Sequence, residues 1–483
     1  MLTIVIDTNR RTFNMKKCIL ILVILSLLLT GCSLLKSKPV LQVGFAQVDI
    51  TPTESLPLRG YGRSQNRLSQ NVLDPLMATA LAITDGTGQT ILIIGVDLCS
   101  SGTPANFRGG ISKETGIPVE NILICSSHTH SGPDTTATGF PGVSQYVSSL
   151  RKQLIQVSLA ALEDRQNASM FGATVQTTGL NFVRRYILND GTFGGDNYGD
   201  FSSGIKDHES EADGSMQLVK FTREGKPDVI LTNFQTHPHR TGGSKKYDIS
   251  ADIVGAYRKA MNTATGANVV YITGASGNIN PTSRIEEENQ YDDYLAHGQA
   301  MADAALTAQY QPLAVGNIQV TTQTPNILVN HEFDQYAPIL KPIYERWNSG
   351  ELTTAEFNAL ANEAVPIKIN SPYHANAIVT RAQRKQRESF GISAFSFGEV
   401  SIIGAPYEMF DQNGMQIKER SPFAMTIIAT CTNGSVGYIP SQLGYTNGGY
   451  SVDTTRFEPG TGELLTDRFI SMLRLLHKAY AEN

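Results

Sequence analysis

Apolar positions along this chain fall into short unbroken runs that stop abruptly in small polar residues. Leu41 to Ile50 alternates well enough for a strand and is closed by Thr51-Pro52; a Gly-rich loop, Arg59-Gly60-Tyr61-Gly62, follows. Leu76 to Asp85 and Thr90 to Val96 predict two strands around the turn Asp85-Gly86-Thr87-Gly88. After a helical stretch, Asn106 to Thr115, the run Ile122 to Ile124 predicts a buried strand that breaks into Cys125-Ser126-Ser127-His128-Thr129-His130-Ser131-Gly132-Pro133. If extended backbone persists there, His128 and His130 point to the same face. Two such imidazoles suit a metal ion or a proton relay, and a His-rich surface turn is the plainer alternative.

The same design recurs. Pro227 to Phe234 predicts a buried strand that runs into Gln235-Thr236-His237-Pro238-His239-Arg240-Thr241-Gly242-Gly243. Two strand ends built alike favour a shared metal site, with His208, His297, His331, His374 and His477 as ordinary residues. A third buried strand, Asn268 to Thr273, ends in Gly274-Ala275-Ser276-Gly277-Asn278-Ile279-Asn280-Pro281, where Ser276 lacks the flanks of a nucleophile elbow. Helical spacing predicts helices over Gln145 to Arg165, Asp252 to Met261, Tyr291 to Gln309 and Leu464 to Ala481. Ala168 to Thr178 is strand-like, and the polar stretch up to Asp213 predicts a long surface loop. Residues from about 326 to 380 form a helical insertion opened by the capping box Thr353 to Glu356, with no chemistry assigned to it. Strands follow over Ile392 to Ile403, around Gly398, and Met425 to Cys431.

Other candidates stay open at this level. Asp97 is a site residue or a helix cap. Adjacent Arg184 and Arg185 are solvated charge or a clamp for an anion or carbonyl. Glu408 is a ligand or only an acid favouring a helix start. The order strand, helix, strand predicts an α/β fold of mixed β-sheets flanked by helices, in a single large catalytic domain over 40–483.

The N-terminus changes the picture of where the protein works. Met15-Lys16-Lys17 precedes an apolar run, Cys18 to Leu29, that ends in the lipoprotein-like box Leu29-Thr30-Gly31-Cys32. Residues 1–39 are therefore expected to be leader, signal peptide and tether, with Met15 as the start and Cys32 as the lipidated first residue. An uncleaved anchor is the alternative. Cys99, Cys125 and Cys431 sit in apolar runs and are expected to be buried thiols. Net charge is −5, and no basic field for nucleic acid is evident in the sequence.

Taken in order, several segments resemble the neutral/alkaline, non-lysosomal ceramidase family. They are Asp49-Ile50-Thr51-Pro52, Gly60-Tyr61, His128 to Pro133, Asn233-Phe234 with His237-Pro238, Pro406 with Glu408, and Asn433 with Tyr438, Tyr445 and Tyr450. The resemblance covers nearly all of the chain from Val43 onward, with the insertion aligning poorly. It implies a Zn²⁺ hydrolase that cleaves N-acyl amides, with ceramide-like lipids as the default substrate; with the N-terminal leader, the expectation is an exported, membrane-anchored enzyme of the cell envelope. The metal ligands it implies are His128, His237, Glu408 and Tyr438. It implies that His130 handles substrate or a proton, that Arg184 steadies oxyanion charge, that Tyr450 lines the site, and that Gly60 and Tyr445 bind substrate.

The chain departs from the family in two places. Asn280 stands where the family has a serine with a proposed catalytic role, and Asn278 where it has an aspartate. An asparagine is no nucleophile but can hydrogen-bond substrate, so attack by activated water is expected. The family's additional C-terminal immunoglobulin-like domain has no counterpart here, so substrate choice is expected to differ. The alternatives are a related zinc amidase or esterase on a non-lipid envelope substrate, and a non-catalytic lipid-binding lipoprotein.

Overall fold

The computed structural model describes residues 41–482 except 63–66, 101–106 and 197. The leader, with Cys18 and Cys32, lies outside the described residues. Eight long strands build the main sheet: β1 (Leu41–Asp49), β2 (Met77–Thr84), β3 (Thr90–Val96), β4 (Ile122–Ser126), β5 (Gln166–Gln176), β6 (Ser215–Arg223), β7 (Lys226–Phe234) and β8 (Asn268–Thr273). Their order is β8-β7-β6-β5-β1-β2-β3-β4. Inner pairs are antiparallel, whereas β3 with β4 and β7 with β8 are parallel. Each parallel pair needs a crossover helix: α1 (Phe107–Thr115) on one side, and α3 (Asp252–Thr265) on the other. Between them in the chain lies α2 (Val143–Glu163), and α4 (Tyr294–Leu306) follows β8.

A second sheet, ordered β9 (Ile318–Gln323), β10 (Ile392–Phe397), β11 (Val400–Gly404) and β12 (Met425–Ala429), faces the first. Its last pair is again parallel, joined through α8 (Asp411–Arg420). The two inner faces enclose one core that takes Ile91 and Ile93 from β3, Leu123 from β4, Leu231 from β7, and Ile402 and Ile427 from the second sheet. Outer faces pack on helices: Leu92, Ile94 and Ile124 meet Leu150 and Leu154 of α2, and Ile403 and Ile428 meet Leu465 and Phe469 of the C-terminal helix. This is why β3, β4 and β12 read as unbroken apolar runs. With both faces covered, each side chain leaves water at about 1.5–3 kcal/mol apiece.

The main sheet curls until β8 packs against β2, β3 and β4 at the other end of the order. Side chains and the start of the loop after β12 tie the closing ends together. Asn233 Nδ2 donates to Ile272 O and Ile428 O, both at 2.9 Å, and Thr273 Oγ1 donates to Ser127 O at 2.8 Å. Asn433, at φ 58°, accepts Ile124 N with Oδ1 at 2.9 Å. The carboxyl ends of β4, β7, β8 and β11 thereby meet at one place, where α/β proteins characteristically bind ligands.

The sequence-predicted fold class holds. One expectation needs correcting: β6 lies in the middle of the sheet, directly between β5 and β7, in a stretch where no strand is predicted. Its hairpin turn, Glu224-Gly225, and the alternation of Met216 and Leu218 on one face with Val219 and Phe221 on the other carry the signal. The stretch expected to be surface loop before Asp213 contains short strands, Phe193–Gly195 and Ile205–His208, around Tyr186–Leu188.

The insertion is bracketed by a pair of short strands, Asn326–Leu328 and Arg387–Ser389. Its helices, α5 (Ala337–Ser349), α6 (Thr354–Ala364) and α7 (Pro372–Arg381), close over their own small core of Leu340, Trp347, Phe357 and Ile378. The capping box at Thr353 and Glu356 is present with both of its hydrogen bonds. Among the described residues no helix is long and apolar enough to cross a membrane. Cys99, Cys125 and Cys431 are buried thiols, as expected.

His297 gives the fold a pH dependence. It is buried on α4, with Nε2 3.0 Å from Leu180 O and Nδ1 without a partner, and burial pushes it down to about 4. The unfolded chain takes up a proton near 6.5 and the folded chain does not, so stability is full above 6.5 and falls as the pH drops towards 4. The loss amounts to about 3 kcal/mol from this residue. Thermal melts across that window should show His297→Gln, which keeps a donor for Leu180 O, flattening the slope. An unchanged slope would refute the assignment.

Candidate active site

His128, His237 and Glu408 converge at the closed ends of the sheets. The chain leaves β4 at Ser126, and His128 takes a left-handed backbone, φ 67°, pinned by Ser127 N to Val96 O at 2.8 Å and His128 N to Leu98 O at 3.0 Å. The expected strand alternation is therefore not what brings His128 and His130 together. The turn does so, with ring centroids 5.1 Å apart. His237 follows β7, and its ring lies 4.8 Å from that of His128. Glu408 follows β11 and pairs in parallel with Tyr438, so ligand candidates from two loops share one short ladder.

Second contacts fix which ring nitrogens face inward. His128 Nδ1 is 2.5 Å from Cys99 O, and His237 Nδ1 is 2.8 Å from Ile279 O. Carbonyls only accept, so each Nδ1 carries the hydrogen and each Nε2 presents a lone pair. Those two Nε2 atoms lie 3.5 and 3.3 Å from the same oxygen, Glu408 Oε2. His237 Nε2 and Glu408 Oε2 are buried without any hydrogen-bond partner. Burial pushes His237 down to about 3. Acceptors crowded on acceptors are costly unless a cation lies among them, and all three donor atoms fall within 4.8 Å of one another. Two imidazole nitrogens and a carboxylate oxygen are a fitting set for a divalent metal ion.

His130 stands beside this group, 5.5 Å from His237 and 5.6 Å from His239 between ring centroids. Burial and the neighbouring imidazoles keep it well below its ordinary value, and its Nδ1 has no partner. Its backbone is clamped: His130 N donates to Pro238 O at 3.0 Å, and Arg67 Nη2 donates to His130 O. Gly60, expected to bind substrate, makes room for this residue. A Cβ there would lie 2.4 Å from His130 Cγ.

Arg184 and Arg185 are both buried, which overturns solvated charge for either. Arg184 lies 5.4 Å from the Tyr438 ring, and its Nη2 donates to Gly277 O at 2.8 Å and to Ser451 Oγ at 3.2 Å. Arg185 is a structural pair with Glu209, at 2.7 and 2.9 Å. Asn280 Oδ1 sits 2.9 Å from His239 Nε2, which gives His239 a partner next to the site. Tyr450 is 6.0 Å from Tyr438 by ring centroids. Tyr445, expected to bind substrate, donates its hydroxyl to Phe457 O at 2.9 Å. Asp97 is neither ligand nor helix cap: it accepts Met77 N at 2.8 Å and pairs with Arg258. Sequence reasoning missed Arg67, and Tyr61, whose hydroxyl donates to His239 O at 2.6 Å.

No protein-family model matches the chain, and no curated protein matches it either. Solved structures do match. A neutral ceramidase from Pseudomonas aeruginosa superposes with a TM-score of 0.66 at 15% identity, over 92% of this chain and 75% of that one. A ceramidase complexed with C2 gives a TM-score of 0.64 at 14% identity, over 91% and 76%. The chain therefore has the fold of the neutral ceramidases.

Proposed function

We propose that this protein is a zinc-dependent hydrolase of N-acyl amides, with ceramide-like lipids as the reference substrate, exported and held to the envelope by a lipid on Cys32. The observation that carries the reading is the set of partnerless lone pairs on His237 Nε2 and Glu408 Oε2, with His128 Nε2 beside them. His128, His237 and Glu408 would hold the ion, with Tyr438 next to Glu408 on the ladder as the fourth ligand. When bound, Zn²⁺ polarises an amide carbonyl and lowers the pKa of water.

The chain's own groups do the rest. Hydrolysis adds hydroxide to the acyl carbon, breaks the C–N bond and delivers a proton to the leaving nitrogen. His130, with Nδ1 unpartnered, is the group that moves this proton. Arg184, a buried cation against Tyr438, faces developing oxyanion charge. Asn280 and His239 orient one another and offer a hydrogen bond to substrate. No seryl intermediate is needed.

The test is metal analysis of the purified chain together with fatty-acid release from ceramide and from short N-acyl amides. One equivalent of zinc and acid release that stops with chelator are expected. A chain that hydrolyses N-acyl amides equally well with chelator present would end the reading.

A further inference from the structure

The loop after β8 touches several of the groups that amide hydrolysis would use. Ile279 O lies 2.8 Å from His237 Nδ1, and this contact turns His237 Nε2 towards Glu408. Gly277 O accepts Arg184 Nη2 at 2.8 Å, and Asn278 O accepts Arg184 N at 2.9 Å. Asn280 Oδ1 lies 2.9 Å from His239 Nε2. Ile279 and Asn280 also pair with Val183 and Phe182, the residues just before Arg184. The loop and Arg184 therefore form one unit, and a shift of it moves the rings of His237 and His239 out of register with Glu408.

One side chain ties this unit to the part of the chain that carries Glu408. Asn278 Nδ2 donates to Asp411 Oδ1 at 2.6 Å, and Asp411 N, at the start of α8, donates back to Asn278 Oδ1 at 2.9 Å. Asp411 lies three residues beyond Glu408, and the backbone between them is in contact with the loop: Gly277 N donates to Met409 O at 2.7 Å. Both Asn278 and Asp411 are fully buried, at 0% exposure, so neither can touch substrate. Burial pushes the Asp411 carboxyl up to about 6, which leaves it ionised in a neutral or alkaline assay. Its other contacts are two backbone donors, Gln412 N at 2.8 Å and Asp213 N at 3.3 Å. The amide of Asn278 suits this place because it offers a donor to the carboxylate and an acceptor to the backbone at once. Removing it would leave a buried carboxylate oxygen short of a donor.

We infer that Asn278 and Asp411 are a pair of positioning residues: together they set the distance between His237 and Glu408 and the aim of Arg184, without touching substrate or the ligand atoms. The inference rests on the amide-hydrolase reading and deepens it.

The test uses the zinc-loaded chain and an N-acyl amide, well below the melting temperature of each variant. Asn278→Ala and Asp411→Ala should each lower kcat about tenfold to a hundredfold, the usual effect of losing a residue that orients a metal ligand, with KM unchanged. The double alanine variant should be no worse than the poorer single one, because the two residues act as one contact. Asn278→Asp combined with Asp411→Asn rebuilds the amide–carboxylate pair in reverse and should return kcat to within about threefold of wild type. A purely structural pair would shift the melting temperature and leave kcat in place. Unchanged kcat in the single variants, additive losses in the double one, or no recovery in the reversed pair would each overturn the inference. Should Asn278→Ala fail to fold, Asn278→Ser takes its place with the same outcomes. If the wild-type chain cleaves no amide, the hydrolase reading fails by itself, and the pair is judged on the metal-free chain by ¹⁵N NMR of the histidine rings. His237 should then be protonated on Nδ1 in the wild type and the reversed pair, and should lose that preference in Asn278→Ala. An unchanged His237 signal in Asn278→Ala would refute the positioning role.

Discussion

His237→Ala and Glu408→Gln should each strip the protein of its metal and reduce N-acyl amide hydrolysis by at least about a thousandfold, the scale of several kcal/mol of lost charge stabilisation. The two changes act on opposite sides of one contact, His237 Nε2 to Glu408 Oε2 at 3.3 Å, so the double variant should be no worse than either single one. His130→Ala forms the contrast. Its ring is next to the ligand group, yet none of the atoms in the His128, His237 and Glu408 set belongs to it. It should lose activity while keeping a full equivalent of metal. Metal content by mass spectrometry and fatty-acid release, read on the same samples, check this. A His237→Ala protein that retains its metal would show that the ion, if there is one, lies elsewhere.

How much of this site was legible depended on whether its geometry is local. A buried strand that runs into histidine and then glycine is a local pattern, and it occurs after both β4 and β7. That pattern shows in the sequence because both faces of those strands are covered, which forces a continuous apolar run up to the point where the chain must turn. What no window of sequence contains is the curl of the main sheet that brings β8 against β3 and β4. Without it, His128, after the edge strand β4, and His237, after β7 at the other end of the order, would stand far apart. The left-handed turn at His128 is equally hidden, since a histidine at φ 67° carries no compositional signature.

Burial of charge was the other blind spot. Arg184 and Arg185 read as surface charge because their partners are distant in sequence or lie in a polar stretch. Glu209 and Asp196 are almost fully enclosed, at 2% and 1% side-chain exposure. A Gly-rich polar segment looks like a loop whether it faces water or wraps a buried guanidinium. The insertion shows the same limit from the other side. Its helices and capping box were readable from spacing, but that Asn358 and Asn370 line one cavity with Tyr450 follows only from how α6 and α7 are docked.

Gly60→Ala should reduce kcat about a hundredfold while leaving the metal in place. A Cβ at Gly60 would lie 2.4, 2.5 and 2.7 Å from His130 Cγ, Cβ and Cα. These atoms are the root of the side chain and the backbone, so no rotamer change relieves the overlap. Neither partner has slack. Arg59 N donates to Gly132 O at 3.0 Å and Leu58 N to Arg67 O at 2.8 Å, while His130 is held by Pro238 O. His130 must therefore move by the order of 1 Å, a displacement that costs about 10²-fold in a positioned catalytic group. His128 is two residues away, but its turn is anchored separately, by Ser127 N to Val96 O and His128 N to Leu98 O. The substitution also incurs strain at φ +119°, on the order of 1–3 kcal/mol. Gly88→Ala separates the two effects: it has a positive φ of +87° with nothing within 4 Å of the added Cβ. It should lose some thermal stability and keep full kcat. If Gly60→Ala instead loses metal along with activity, His130 and the ligand group move as one body, and the division between proton handler and ligand that the geometry draws at this turn is wrong.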